Sequence, residues 1–402
     1  KEGSASSHGS GAAIYLASLP STEKSQENFD FTIQDCMFTG FSSLKSGGAI
    51  DIVNVRGRIK IAQVIFENNT AANNGGGISI DTSTDVQFVD VECRKNHAQL
   101  YGGCASVTSE DDDGVPSTVV VKNLQSTSDV SNNKGFAVYV GRSSTMKMSN
   151  STISQTKGSG AIYANSAKLV MSQVSVLNTN SANDAAAILC MSSTLTVNEG
   201  SNVSETQGRG LMSTGCSVKI KDSMFLHNIV HSTGDGDKDI HGAGMLLVSK
   251  SELTVSLSTF ESNFAVGDGG AIMCDECIVL DIQNTTFLNN TAGRGGALRM
   301  YRTPPTGTIA STQFLNNKAI SGGGGAIYRV GEVAPVLSNT RFDGNEALFG
   351  NDEATDPVLA RVRRNSTGYI SNVAEITGIV FSVLDRYNVV VKESAVSTVV
   401  TP

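Results

Sequence analysis

The stretch FLNNTAGRGGAL, residues 287–298, decides the fold. Upstream the chain reads FESNFAVGDGGAI at 260–272, and downstream FLNNKAISGGGGAI at 314–327. Each copy carries a Phe, an Asn three residues on, a small residue, and then a Gly pair followed by Ala and an aliphatic residue. Working outward, the Gly-rich unit recurs twelve times, from GAAI at 11–14 to GGAI at 324–327, mostly at intervals of 24 to 29 residues. Phe-x-x-Asn precedes it as FENN (66–69), FLHN (225–228) and FDGN (342–345), with degenerate copies at CRKN (93–96), VSNN (130–133), ISQT (153–156) and VLNT (176–179).

A true period of this length marks a solenoid, propeller or array. Runs such as LTVSLSTF (253–260) alternate apolar with polar, the strand signature. A propeller blade needs about 40 or more residues, and no strict six-residue pattern is present, so the unit fits one coil of a parallel β-helix. The expected architecture is all-β, a right-handed parallel β-helix of about twelve coils spaced ~4.8 Å apart. In it the Phe stacks inward on the Phe of the next coil, contributing about 1.5–3 kcal/mol when buried. The Asn sits at a turn, where it tolerates left-handed backbone and bonds peptide groups. The Gly pair supplies positive φ and close backbone approach.

Composition agrees. Trp is absent, there are 7 Pro against 41 Gly, and Ser, Thr and Asn abound, which is turn-rich β usage. The net charge of −8 argues against a nucleic-acid footprint. No apolar run approaches the roughly 20 residues of a membrane span, and no secretory signal opens the chain. The start, HGSGAAIYL at 8–16, reads as the end of a repeat, so the segment is expected to belong to a longer protein.

The coupled GGAI and Phe-x-x-Asn motifs resemble the repeats of the chlamydial polymorphic outer-membrane protein family and its relatives in eukaryotic microbes. The resemblance covers roughly residues 1–350. It implies a pectin-lyase-like right-handed β-helix, surface exposed, used in adhesion or coat building. Two departures stand out: the chain contains no autotransporter barrel, and the motifs decay between residues 93 and 212.

The domain reading is a β-helix over 1–357, a polar linker over 358–370, and a β-strand segment over 371–402. Within the last, ITGIVFSVLDRYNVVV (376–391) reads as a strand, a turn at DRYN and a second strand. It is either a cap on the open coil or the opening of an immunoglobulin-like sandwich.

Candidate chemistry is sparse. A polygalacturonase-like set would need an acidic pair, Gly-His-Gly and Arg-Ile-Lys in order; the chain has RIK at 58–60, DDD at 111–113 and IHG at 240–242, in the wrong order. Asp235, Asp237 and Asp239 in GDGDKD begin a calcium-loop pattern, but its twelfth position is Leu246 rather than Glu. They are a weak calcium candidate; no other cofactor is expected. Cys190 and Cys216 lie 26 residues apart, about one coil, within disulfide reach although their offsets from the anchor residues differ. Cys274 and Cys277 form a CxxC read as a local bridge or free thiols, and Cys93 and Cys104 read as core fillers. Sequons stand at Asn68, Asn150, Asn202, Asn284, Asn289 and Asn365, with Asn150 and Asn284 placed outward by strand alternation.

The sequence therefore reads as a non-enzymatic, extracellular structural or adhesive segment of a secreted or cell-surface protein, a coat, filament or adhesin. Its expected partners are other copies or neighbouring domains of a surface assembly and host or matrix glycans, without nucleic acid. The alternatives are a polysaccharide-binding or polysaccharide-cleaving β-helix and an autotransported adhesin passenger. A group of Asp, Arg, His and aromatic residues on one outer face across adjacent coils would favour the polysaccharide reading.

Overall fold

Parallel coils repeat every interior position once per turn, so each side chain meets its own equivalents above and below. The computed structural model describes residues 11–17, 29–109, 116–131, 136–158, 160–181, 186–231, 240–302, 306–330, 335–356, 359–363, 380–385 and 389–390. The strands after the Gly-rich units form one sheet of thirteen parallel strands in chain order, from Ile14–Ala17 to Glu353–Thr355. Long strands such as Gly57–Glu67 build a second, bent wall. In later coils this wall divides into pairs such as Val279–Gln283 and Thr286–Leu288. Two-residue strands such as Thr291–Ala292 make the third side. There is no helix among the described residues. The thirteenth strand follows a bend with a single glycine, Gly350 (φ 57°), which is why no Gly pair announces it.

Strand pairing places the Phe positions in one unbroken column: Phe38, Phe66, Cys93, Ser126, Ile153, Val176, Val203, Phe225, Phe260, Phe287, Phe314 and Phe342. From Phe225 to Phe342 the rings stack with centroids 5.2, 5.0, 4.8 and 5.3 Å apart. Phe260, Phe287 and Phe314 are fully buried, whereas Phe342 is only half-buried because no equivalent ring lies beyond it. The register persists through the middle coils although the motif decays there. One reading needs correction: the repeat element of the fifth coil is not VSNN at 130–133 but the segment from Ser126 to Asp129, because Cys93 pairs with Ser126 and Val130 with His97.

Beside the rings runs a ladder of buried amides. Asn290 Nδ2 donates to the Phe260 carbonyl at 2.9 Å and to Asn317 Oδ1 at 3.0 Å, and the Asn290 N–H donates to that same Oδ1 at 3.0 Å. Asn290 Oδ1 in turn accepts the N–H and Nδ2 of Asn263 at 3.1 and 3.0 Å. The pattern joins Asn228, Asn263, Asn290, Asn317 and Asn345, and ends where Asn345 Nδ2 donates to Asp352 Oδ1 at 3.0 Å. The ladder Asn is not itself the left-handed residue, as the sequence suggested. The residue before it is: His227, Ser262, Asn289 and Asn316 have φ of 53–54°. Left-handed backbone one step earlier turns the following side chain inward.

The two glycines of the pair do different work. Gly269 has φ 66°, a conformation that strains residues with a Cβ. Gly270 is needed for space, since a Cβ there would fall on the Gly296 and Thr291 carbonyls of the next coil.

At the C-terminal end, Leu359–Arg363 is a strand within the stretch read as a linker, and it pairs antiparallel with Val380–Leu384. Asp385 and Val389, after that strand, dock on the last coil. Buried Asp385 accepts the Thr355 N–H at 3.3 Å and the Val389 N–H at 2.9 Å, and Val389 packs on Tyr328, Phe349 and Ala354.

In a shorter ladder, Asn69 donates to Asn96, and Asn96 to Asp129. Asp129 Oδ1 accepts the Asn96 N–H at 2.7 Å and its Nδ2 at 2.9 Å, while Oδ2 accepts the Ser126 hydroxyl at 2.7 Å. Burial pushes the Asp129 carboxyl from 3.8 up to about 6, the bonds from Ser126 and Asn96 only partly offsetting it. Between those values the folded chain binds the proton more tightly than the unfolded chain. The associated stability is thus present below about pH 4 and lost as pH rises through about 6. Asp129→Asn, which restores the repeat's own residue, is expected to raise stability by about 2–3 kcal/mol at pH 7 and hardly at all at pH 4. Urea denaturation of both proteins across that range checks this; a gain that does not grow with pH contradicts the desolvation account.

Candidate functional site

Polar side chains gather on the outer face of the thirteen-stranded sheet. The bend at each Gly pair folds back over the strand that follows, so the residue before the pair faces the residue after the Ala-aliphatic dipeptide. His241, Asp268 and Arg294 precede Gly242, Gly269 and Gly295, while Arg299 and Tyr328 follow Leu298 and Ile327 and are register neighbours. Stacked coils bring these residues together.

Asp268 is the centre. Its carboxylate lies 2.8 Å from Arg299 Nη1 and 3.2 Å from Arg294 Nε. His241 Nδ1 is 3.8 Å from the same carboxylate, but it already accepts the Asp268 N–H at 2.8 Å. A nitrogen that accepts a hydrogen bond carries no proton, so this contact belongs to a neutral ring and is not an ion pair. The Arg299 guanidinium lies over Tyr328 and Tyr301, 4.9 and 5.2 Å from the ring centroids, and Arg294 lies 5.6 Å from that of Tyr328. Tyr328 donates to Asp356 Oδ1 at 2.6 Å. One coil earlier, fully buried Arg209 donates from Nε to the His241 carbonyl at 3.0 Å. At the rim, Arg302 lies 3.4 Å from Asp275 and 3.2 Å from Glu276.

Burial decides what this group can do. Asp268 is 6% exposed and Arg299 3%. Burial pulls the Arg299 guanidinium down from its usual range, with the Asp268 charge opposing it, and burial pushes the Asp275 carboxyl up against the pull of Arg302. A catalytic carboxylate must reach its substrate's proton. Asp268 is covered and paired with two arginines, which makes the group an ion-pair and cation–π network centred on a buried carboxylate.

The residues singled out from sequence do not converge here, apart from His241 of IHG. Arg58 of RIK is an exposed residue of the bent wall, 3.4 Å from Asp85. Asp235, Asp237, Asp239, the DDD run and Asn365 lie outside the described residues. Asn68, Asn150, Asn284 and Asn289 are exposed at left-handed positions with φ of 46–54°. Asn202 is half-buried and donates to the Ser204 hydroxyl at 3.2 Å. At Asn150 and Asn284 the next residue, Ser151 or Thr285, is buried and its hydroxyl donates to the carbonyl two residues back at 2.8 Å. The structure joins Cys190 to Cys216 and Cys274 to Cys277, with Cα atoms 6.4 and 5.6 Å apart. Cys190 is the last inward residue of its strand and Cys216 the corner residue of the next coil, which accounts for their unequal offsets. Cys93 is joined to Cys104, Cα atoms 5.6 Å apart, so the two core fillers face one another.

Sequence reasoning missed the Asp268 network. Its contacts between coils join residues 26 to 34 apart, which align only when each is counted from its own Gly-rich bend.

A right-handed beta helix region model matches residues 109–260, and a Chlamydia polymorphic membrane protein repeat model matches 63–81, 258–275, 284–299 and 311–328. The chain thus carries polymorphic membrane protein repeats on a right-handed β-helix. Among solved structures, a periplasmic alginate epimerase is similar at 8% identity over 74% of this chain and 77% of its own, with a TM-score of 0.36. A surface adhesin of Streptococcus pneumoniae is similar at 12% identity over 95% and 81%, with a TM-score of 0.30. Neither likeness is close enough to carry a functional reading.

Asp268→Asn is expected to strand Arg299 without its counter-charge and to cost about 3–5 kcal/mol. The double variant Asp268→Asn/Arg299→Met should regain most of that loss. Denaturation midpoints of the two variants check the network; equal losses in both contradict it.

Proposed function

We propose that this segment is a non-enzymatic β-helical rod of a cell-surface protein, serving structure or adhesion in a coat, filament or adhesin. The observation that carries the reading is where the repeat spends its residues. Phe, Asn and Gly are committed to stacking one coil on the next, and the acidic and basic groups of the outer face are committed to one another. The polymorphic membrane protein repeats support a surface setting. No helix among the described residues is long and apolar enough to cross a membrane. The partners that suit such a rod are other copies or neighbouring domains of the same assembly, and glycans of a host or matrix.

The competing reading, a polysaccharide-binding or polysaccharide-cleaving β-helix, has one observation in its favour. Asp, Arg, His and Tyr do share an outer face across consecutive coils, from His241 to Tyr328. The burial of Asp268, Arg299 and Tyr328 weighs against it, because a polymer bound on that face would meet the half-buried His241, Arg294 and Tyr301 and the rim pair Arg302 and Glu276 but not the carboxylate of Asp268. Incubating the purified chain with acidic and neutral polysaccharides should release no oligosaccharide. Cleavage that disappears in Asp268→Asn, in protein that remains folded, would overturn the structural reading.

A further inference from the structure

We propose that Cys93, Cys104 and Asp129, with the Cys93–Cys104 bond opened, form a buried site for a zinc-class divalent cation inside the rod. The argument starts from the repeat. Cys93 stands in the Phe column, Cys104 in the Ala position of GGAI, and Asp129 in the Asn ladder. These three departures come from adjacent coils, yet their ligand atoms all lie within 4.8 Å of one another and all three residues are fully buried. Chance departures would scatter along the rod.

A disulfide alone does not account for Asp129. Asn would serve the ladder at that slot without placing a carboxylate beside two sulfurs in an apolar interior. Two thiolates and a carboxylate are, by contrast, a donor set for a borderline cation of tetrahedral habit. The carboxylate is already oriented, Oδ1 by the Asn96 N–H and amide and Oδ2 by the Ser126 hydroxyl, as outer-shell partners orient a ligand. The neighbouring ladder slot also holds a buried hydroxyl. Thr156 fills the next ladder slot, is 1% exposed, and its hydroxyl has no hydrogen-bond partner.

The two states are related by balanced chemistry. A dithiol reductant gives two electrons and two protons to the Cys93–Cys104 bond and becomes a disulfide itself. The cation then displaces the two thiol protons and forms two sulfur–metal bonds, with Asp129 as the third ligand. The site is therefore either a covalent staple or a metal centre, set by the redox state around it.

The test uses the full chain, reduced and kept free of oxygen, titrated with Co²⁺ as the spectroscopic probe. Cys104→Ala and Asp129→Asn each restore the repeat's own residue, so both should fold, and the other cysteines remain as a common background. Reduced wild type should take up one more Co²⁺ per chain than Cys104→Ala, with thiolate-to-cobalt charge-transfer absorption. Asp129→Asn should weaken that uptake at least about tenfold. The oxidised chain should lack it. Uptake equal in wild type and Cys104→Ala, undiminished in Asp129→Asn, or unchanged by oxidation would each overturn the proposal.

Discussion

A buried turn must satisfy its polar groups, and the rest of this structure depends on that constraint. Each coil makes a tight inward corner after the Phe strand, where water cannot reach the peptide groups. An unpaired group there costs about 1–3 kcal/mol. One Asn per coil removes the difficulty: its amide donates to a carbonyl of the preceding coil and its oxygen accepts the ladder N–H of that same coil, while its own N–H and amide donate to the Asn oxygen of the following coil. The bond works only if coils are in register, so the ladder specifies how coils stack as well as stabilising them. The Phe column follows from the same register, and the Gly pair from the close approach it demands.

The middle of the rod shows how far the constraint can relax. Thr179 and Thr206 replace the amides with a hydroxyl–hydroxyl bond of 3.1 Å, and Ile153, Val176 and Val203 replace the rings. Strand pairing continues regardless, since backbone bonding between coils does not depend on the side chain. What changes is the quality of the filling. The interior turns polar at Ser126 and Asp129, next to the one disulfide that links the Phe column to the Gly-rich strand.

The solenoid was legible because its signal repeats: a Phe and an Asn at fixed spacing before a Gly pair are hard to produce by any other fold. The stack from Phe260 to Phe342 and the amide bonds of Asn263, Asn290 and Asn317 could be expected residue by residue. Two things were not legible. The register of the fifth coil was misplaced because Ser126 and Asp129 share no residue with Phe-x-x-Asn, while VSNN nearby does. The Asp268 network escaped because outward residues obey no repeat; the side chains before and after each Gly pair vary freely and meet only once the bends fold back.

The most direct test of the account is the ladder itself. Asn290→Ala removes one amide, takes from the Asn263 N–H and the Phe260 carbonyl their side-chain partner, and leaves Asn263 Nδ2 with only its bond to the Phe225 carbonyl. Equilibrium denaturation should record a loss of roughly 3–6 kcal/mol, against no more than about 0.5 kcal/mol for Gln283→Ala on the exposed wall of the same coil. If the two substitutions cost the same, the buried amides do not hold the coils together.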